Sequence, residues 1–177
     1  MKTKFLSFAL AVAFCAPAFA QKMGSTNSDA PMVKQTVEAG DAKISLDYTS
    51  ITWADGRTMG RIMDKENGGR MRSRINETAS ASPLGSLNTS VDLMCGDLHL
   101  PAGKYTIFFT ITDDLEWQIN FMNGDKTHTM KLPLADSEHE SKRLMMCLYA
   151  GEDEGAGVYV AFGKHSGMID LKPHVAK

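Results

Sequence analysis

Leu98–Phe121 reads LHLPAGKYTIFFTITDDLEWQINF, and this stretch decides the fold. Tyr105, Ile107, Phe109 and Ile111 alternate with Thr106, Phe108, Thr110 and Thr112. That period of two predicts a β-strand, because successive side chains of an extended backbone point to opposite faces. Pro101-Ala102-Gly103 sets a turn ahead of it. Thr112-Asp113-Asp114-Leu115-Glu116 is a hairpin-length connection, and Trp117, Ile119 and Phe121 oppose Gln118 and Asn120 in a returning strand. Burial of these large apolar side chains contributes ~1.5–3 kcal/mol each. The hairpin is therefore the predicted core.

Outward from it the same alternation recurs. Ala42, Ile44, Leu46 and Tyr48 oppose Lys43, Ser45 and Asp47; Thr89, Val91 and Leu93 oppose Ser90, Asp92 and Met94, stopping at Cys95-Gly96. After the hairpin come a turn at Asn123-Gly124-Asp125 and a strand near Thr127 to Leu132. A polar connection, DSEHES, follows at Asp136 to Ser141. Arg143 to Tyr149, apolar on both faces, reads as a central strand. The Gly151 to Gly157 turn, a Val158–Val160–Phe162 strand and a last strand at Met168 to Leu171 complete the series. About eight short strands with regular turn signals and at most one short helix predict an all-β chain. The expected architecture is a single-domain antiparallel β-sandwich over residues 41–172, with a tail at 173–177. The one predicted helix lies at Met59, Ile62 and Met63, ended by Asn67-Gly68-Gly69.

The N-terminus reads as a signal peptide over residues 1–20. Lys2 and Lys4 precede the uncharged apolar run Phe5 to Phe14, and Ala18-Phe19-Ala20 offers a cleavage site before Gln21. The run is half the ~20 residues a membrane span needs. Lipoprotein processing at Cys15 is disfavoured by Phe14 in the place of a small residue. A secreted protein, periplasmic or extracellular, with a flexible leader at 21–40 is the expectation. Removing residues 1–20 lowers Lys plus Arg from 19 to 17 against 21 acidic residues, a net charge of −4. Nucleic acid and anionic membrane are poor partners for such a chain.

Cleavage also removes Cys15, leaving Cys95 and Cys147. In an oxidising compartment they are a disulfide candidate closing a loop of 52 residues, worth ~4 kcal/mol. The alternative is two separate thiols acting as small apolar side chains.

The residues from about Ala39 to Leu171 resemble a secreted bacterial family, domain of unknown function 2911. The resemblance is carried by Leu98-x-Leu100-Pro101-Ala102-Gly103-x-Tyr105-x-Ile107-Phe108 and Glu116-Trp117, with Tyr48, Gly56, Arg57 and Gly60 upstream. A family element of the form WRtGANeaT corresponds to Met71 through Thr78. Arg72, Asn76, Glu77 and Thr78 are kept, while Met71 replaces the aromatic residue and Arg74-Ile75 replace Gly-Ala. The resemblance implies a secreted β domain and names no activity.

The candidate chemistry is sparse. Arg57, Arg72, Asn76 and Glu77 could line a polar pocket, with arginine forks clamping a carboxylate or sulfate-like anion. The bland reading is a buried Arg–Glu pair and an Asn turn that pin a long connection. His99, His128, His139, His165 and His174 are scattered without ligand spacing, so no metal site is expected. Met145-Met146-Cys147 would fall on alternating faces of a strand. Asp113, Asp114, Glu116 and Glu152, Asp153, Glu154 read as solvated turns. No GxSxG motif or phosphate loop occurs, and no cofactor is expected. The leading expectation is non-enzymatic binding of a small molecule, a glycan or a protein partner. The alternative is a hydrolase or isomerase using Arg72, Asn76 and Glu77, and a metal carrier is a third reading.

Overall fold

The computed structural model describes residues 30–52, 57–151 and 155–174, and the side chains of residues 57 and 58 lie outside that description. The predicted signal peptide, the leader before residue 30, the 53–56 turn and the 152–154 loop likewise lie outside it.

The decisive hairpin forms as read. β6 (Gly103–Ile111) pairs antiparallel with β7 (Trp117–Asn123), with Phe109 opposite Ile119 and Ile111 opposite Trp117. The Pro-Ala-Gly turn has a specific reason. The Tyr105 hydroxyl donates to the Pro101 carbonyl at 2.5 Å and the Ala102 N–H donates to Asp92 Oδ1 at 2.8 Å. Gly103 takes φ +153°, a conformation open to glycine.

Around the hairpin, six strands form one antiparallel sheet. Its members are β1 (Met32–Ala39), β2 (Ala42–Thr49), β3 (Gly85–Thr89), β6, β7 and β8 (Lys126–Lys131), in that order. The second sheet has the order β5 (Leu98–Leu100), β4 (Leu93–Cys95), β10 (Ala156–Pro173), β9 (Ala135–Ala150). Inward side chains of the two sheets meet in one core. Phe162 of β10 lies 4.9 Å from the Trp117 ring and 6.2 Å from the Phe109 ring, centre to centre, so the aromatic cluster joins the layers.

Several expectations are corrected. Among the described residues there are ten strands and two helices, α1 (Arg57–Ile62) and α2 (Gly69–Ala79), where about eight strands and at most one helix were expected. α2 escapes the sequence because Gly68-Gly69 reads as a stop, and because its inward positions Arg72, Ile75 and Ala79 include an arginine. The leader ends earlier than residue 40, since Met32–Ala39 forms an edge strand whose inward row includes the polar Gln35. The polar DSEHES segment is strand, the first part of β9. β9 is an edge strand, with Leu144, Met146 and Leu148 inward and Arg143, Met145 and Cys147 outward. The last two predicted strands merge into β10, which passes Gly163 at φ +53°.

Cys95 and Cys147 are free thiols. Cys95 is buried and Cys147 exposed, and β10 lies between their strands. Two strand spacings amount to ~9.6 Å, beyond the ~7 Å limit between bridgeable Cα atoms. The disulfide expectation is thereby corrected.

Two carboxamides complete ladders where a neighbouring strand is missing. Gln35 of β1 donates to the Met146 carbonyl (2.6 Å) and accepts from the Leu148 N–H (2.9 Å), tying the edges of the two sheets. Asn76 of α2 donates to the Ile111 carbonyl (2.8 Å) and accepts from the Ile111 N–H (2.9 Å). β3 reaches only Gly85 opposite Ile107, so Asn76 serves the end of β6 beyond it. That bond fixes α2 to the sheet.

Candidate functional site

The site is built on the two helices. α1 has six residues, too few to persist alone, and its anchors are the fully buried Ile62 and a cap from α2. That cap is Arg72, only 3% exposed, whose Nη1 donates to the carbonyls of Ile62 and Asp64, both at 2.8 Å. The Ile62 carbonyl is one that the end of α1 leaves without a helical partner, whereas the Asp64 carbonyl, beyond the helix, also accepts from the Gly68 N–H at 2.9 Å. No carboxylate pairs with Arg72 among the described residues, and its Nε has no hydrogen-bond partner there. Between the helices, Asp64 Oδ1 accepts from the N–H groups of Glu66 (3.0 Å) and Asn67 (2.8 Å). The Asn67 backbone and side-chain donors are the main reason the Asp64 carboxyl sits below its usual pKa, with a smaller contribution from the positive Arg72. Gly68 permits the close approach. A Cβ there would lie 2.4 Å from the Arg61 and Asp64 carbonyl oxygens and 2.5 Å from Arg72 Nη1.

Of the four residues singled out in the sequence, the three whose side chains are described do not converge. Arg72 and Asn76 share the inward face of α2, and both are spent on backbone groups. Glu77 is exposed and forms no ion pair among the described residues, so the Arg–Glu pair of the bland reading is not made. Arg57 opens α1, with its side chain outside the described residues.

A different set does converge. Arg61, Arg70 and Arg74, with Asp64, Asn67 and Met71, line an open groove of about 460 Å³. All three arginines are exposed, and their side chains form no hydrogen bond or ion pair among the described residues. Arg70 and Arg74 lie one turn apart on α2, an arrangement that costs the isolated helix a few tenths of a kcal/mol. Residues 57–74 carry six basic side chains (Arg57, Arg61, Lys65, Arg70, Arg72, Arg74) against Asp64 and Glu66, a local charge of +4. The whole chain carries −2. The signal was present in the sequence as Arg70-x-x-x-Arg74, but becomes readable only once residues 69–79 are known to be helical.

Two other clusters are internally satisfied. A cleft of about 270 Å³ beside Trp117 holds Lys131 paired with Glu116, and His165 Nδ1 3.3 Å from Asp136 Oδ1. At the other end, His99 Nε2 lies 3.0 Å from Asp92 Oδ2, and the His174 ring is 5.0 Å from that of His99. Among the described residues no group of three or more His, Cys, Asp or Glu side chains could hold a metal ion. No helix among them is long and apolar enough to cross a membrane.

No family model matches the chain, and neither the curated proteins nor the solved structures include a match.

Proposed function

We propose that this is a secreted binding protein whose α1–α2 groove captures an anionic ligand, without turning it over. One observation carries the reading: three exposed arginines, whose side chains form no ion pair among the described residues, surround a groove of ligand size. Guanidinium groups offer rigid, bidentate donors to carboxylate, sulfate or phosphate oxygens. They stay protonated at all physiological pH values, so they hold and orient an anion but exchange no proton with it. The N-terminal signal pattern supports export, and the segment around Leu98–Trp117 supports kinship with the secreted family of domain of unknown function 2911. Both belong to the proposal.

The test is thermal unfolding of the chain from Gln21 onward in low salt, with a panel of carboxylates, sulfate and phosphate. A ligand at a hundred times its Kd adds ~2.7 kcal/mol, which is ~5–11 °C in Tm for a domain of this size. The gain should shrink with added NaCl. It should vanish in the variant carrying Arg61→Gln, Arg70→Gln and Arg74→Gln together. A panel without any anion-dependent shift would reject the proposal.

A further inference from the structure

Resting on the anion-binding reading of the same groove, we infer that its ligand is an acidic sugar, a polyhydroxylated ring bearing a carboxylate. The lining residues are not those of a bare oxyanion site. A sulfate or phosphate ion asks for cationic or N–H donors alone, yet Asp64 shares the lining with Arg61, Arg70 and Arg74. A carboxylate in that place repels a simple anion. It is also a strong acceptor for O–H donors, and a carboxylate has about four lone-pair sites. Asp64 Oδ1 serves Glu66 and Asn67, whereas Oδ2 accepts, among the described residues, only from Asn67 Nδ2 at 3.2 Å, which leaves capacity for a ligand hydroxyl.

The remaining lining fits the same chemistry. Asn67 is exposed and carries both a donor and an acceptor, and Met71 is a half-buried, adaptable apolar surface against which ring C–H groups can lie. The volume of about 460 Å³ falls among sites for small organic molecules, ~300–1,000 Å³, and far exceeds the needs of a tetrahedral oxyanion. Arg70 and Arg74 stand ~6 Å apart along one helix face, and Arg61 approaches from the other helix. Acidic groups on successive sugar units can thus meet separate guanidinium groups. A uronic acid oligomer supplies carboxylates for the arginines, hydroxyls for Asp64 and Asn67, and ring carbons for Met71.

Calorimetric titration at fixed ionic strength tests this with three probes: a galacturonic acid trimer, the neutral galactose trimer, and sodium sulfate. The expected result is binding of the uronate, no binding of the neutral trimer, and sulfate weaker by at least about tenfold, the worth of one good charge-assisted contact. Asp64→Asn keeps a turn-forming side chain and should move the two anions in opposite directions. Uronate should weaken several-fold and sulfate should tighten. Arg74→Gln should weaken the uronate without changing the Tm of the free protein. Equal affinity for uronate and sulfate, or Asp64→Asn shifting both the same way, overturns the acidic-sugar inference while leaving anion capture intact. Equal affinity for the neutral and acidic trimers overturns the arginine role. Binding of neither anion overturns both readings.

Discussion

Replacing Arg72 by methionine removes a buried guanidinium that holds two helices together, and the size of the effect follows from its contacts. Two donors at 2.8 Å reach the carbonyls of Ile62 and Asp64; in the variant both bonds are lost, and of the two acceptors Asp64 keeps the Gly68 N–H. Hydrogen bonds to charged groups are worth ~1.5–3 kcal/mol each, so the gross loss is ~3–6 kcal/mol. Against this, methionine relieves the desolvation of a cation whose Nε has no partner among the described residues. The net expectation is a destabilisation of about 3 kcal/mol, or ~6–12 °C in Tm for a domain of this length. Urea unfolding followed by circular dichroism should show a lower midpoint with an unchanged slope. Arg72→Lys, with its charge kept but its fork lost, should fall between the two. Since Arg72 does not line the groove, the stabilisation given by a bound anion should persist in the folded variant. A methionine variant within about 0.5 kcal/mol of the parent would refute the cap, because it would mean the two carbonyls lose nothing when the guanidinium goes.

Further outcomes follow from the same contacts. Asn76→Asp should cost about 3 kcal/mol at neutral pH, since a carboxylate cannot donate to the Ile111 carbonyl. Protonation of the introduced carboxyl restores a donor, so this variant should regain stability toward pH ~4 and below, and a denaturation series across pH checks the sign. Gly68→Ala should destabilise by ~2 kcal/mol or more, seen as a lowered Tm, because the added carbon meets two backbone carbonyls at 2.4 Å. Alkylation without reductant, followed by mass spectrometry, should label Cys147 in the native protein and Cys95 only after unfolding; an unlabelled, unchanged mass after unfolding would indicate a bridge. Burial pushes the Cys95 thiol from 9.0 up to about 12. Its contribution to stability is therefore complete below pH 9 and falls between pH 9 and about 12, as the unfolded state releases the proton first. Cys95→Ala should flatten that alkaline decline.

The strands visible in the sequence were those whose burial is one-sided. Tyr105 to Ile111 and Ala42 to Tyr48 alternate because one face meets the core and the other meets water, and that asymmetry is written in residue types. β1 and the first part of β9 carry few apolar residues. They are held by backbone pairing to β2 and β10, and in β1 also by the Gln35 carboxamide, features that leave little periodic trace. The candidate site shows the same division. Arg72 and Asn76 stand out in the sequence, and their distinction in the fold is structural: each satisfies main-chain groups that the fold leaves open.

By itself the sequence determined the hairpin within Leu98–Phe121, its two strands and their connection, and the all-β sandwich that grows around it. These depend on alternation and turn chemistry within a few residues, which are local quantities. Only the tertiary structure decided which arginines are spent and which are free. An arginine facing an exposed carbonyl at a helix end and one facing solvent have the same letter. Their difference lies in what the distant chain brings to them: Ile62 and Asp64 to Arg72, and open space to Arg61, Arg70 and Arg74. The separation of Cys95 from Cys147 has the same origin, since β10 must pass between their strands before either thiol's neighbours are known.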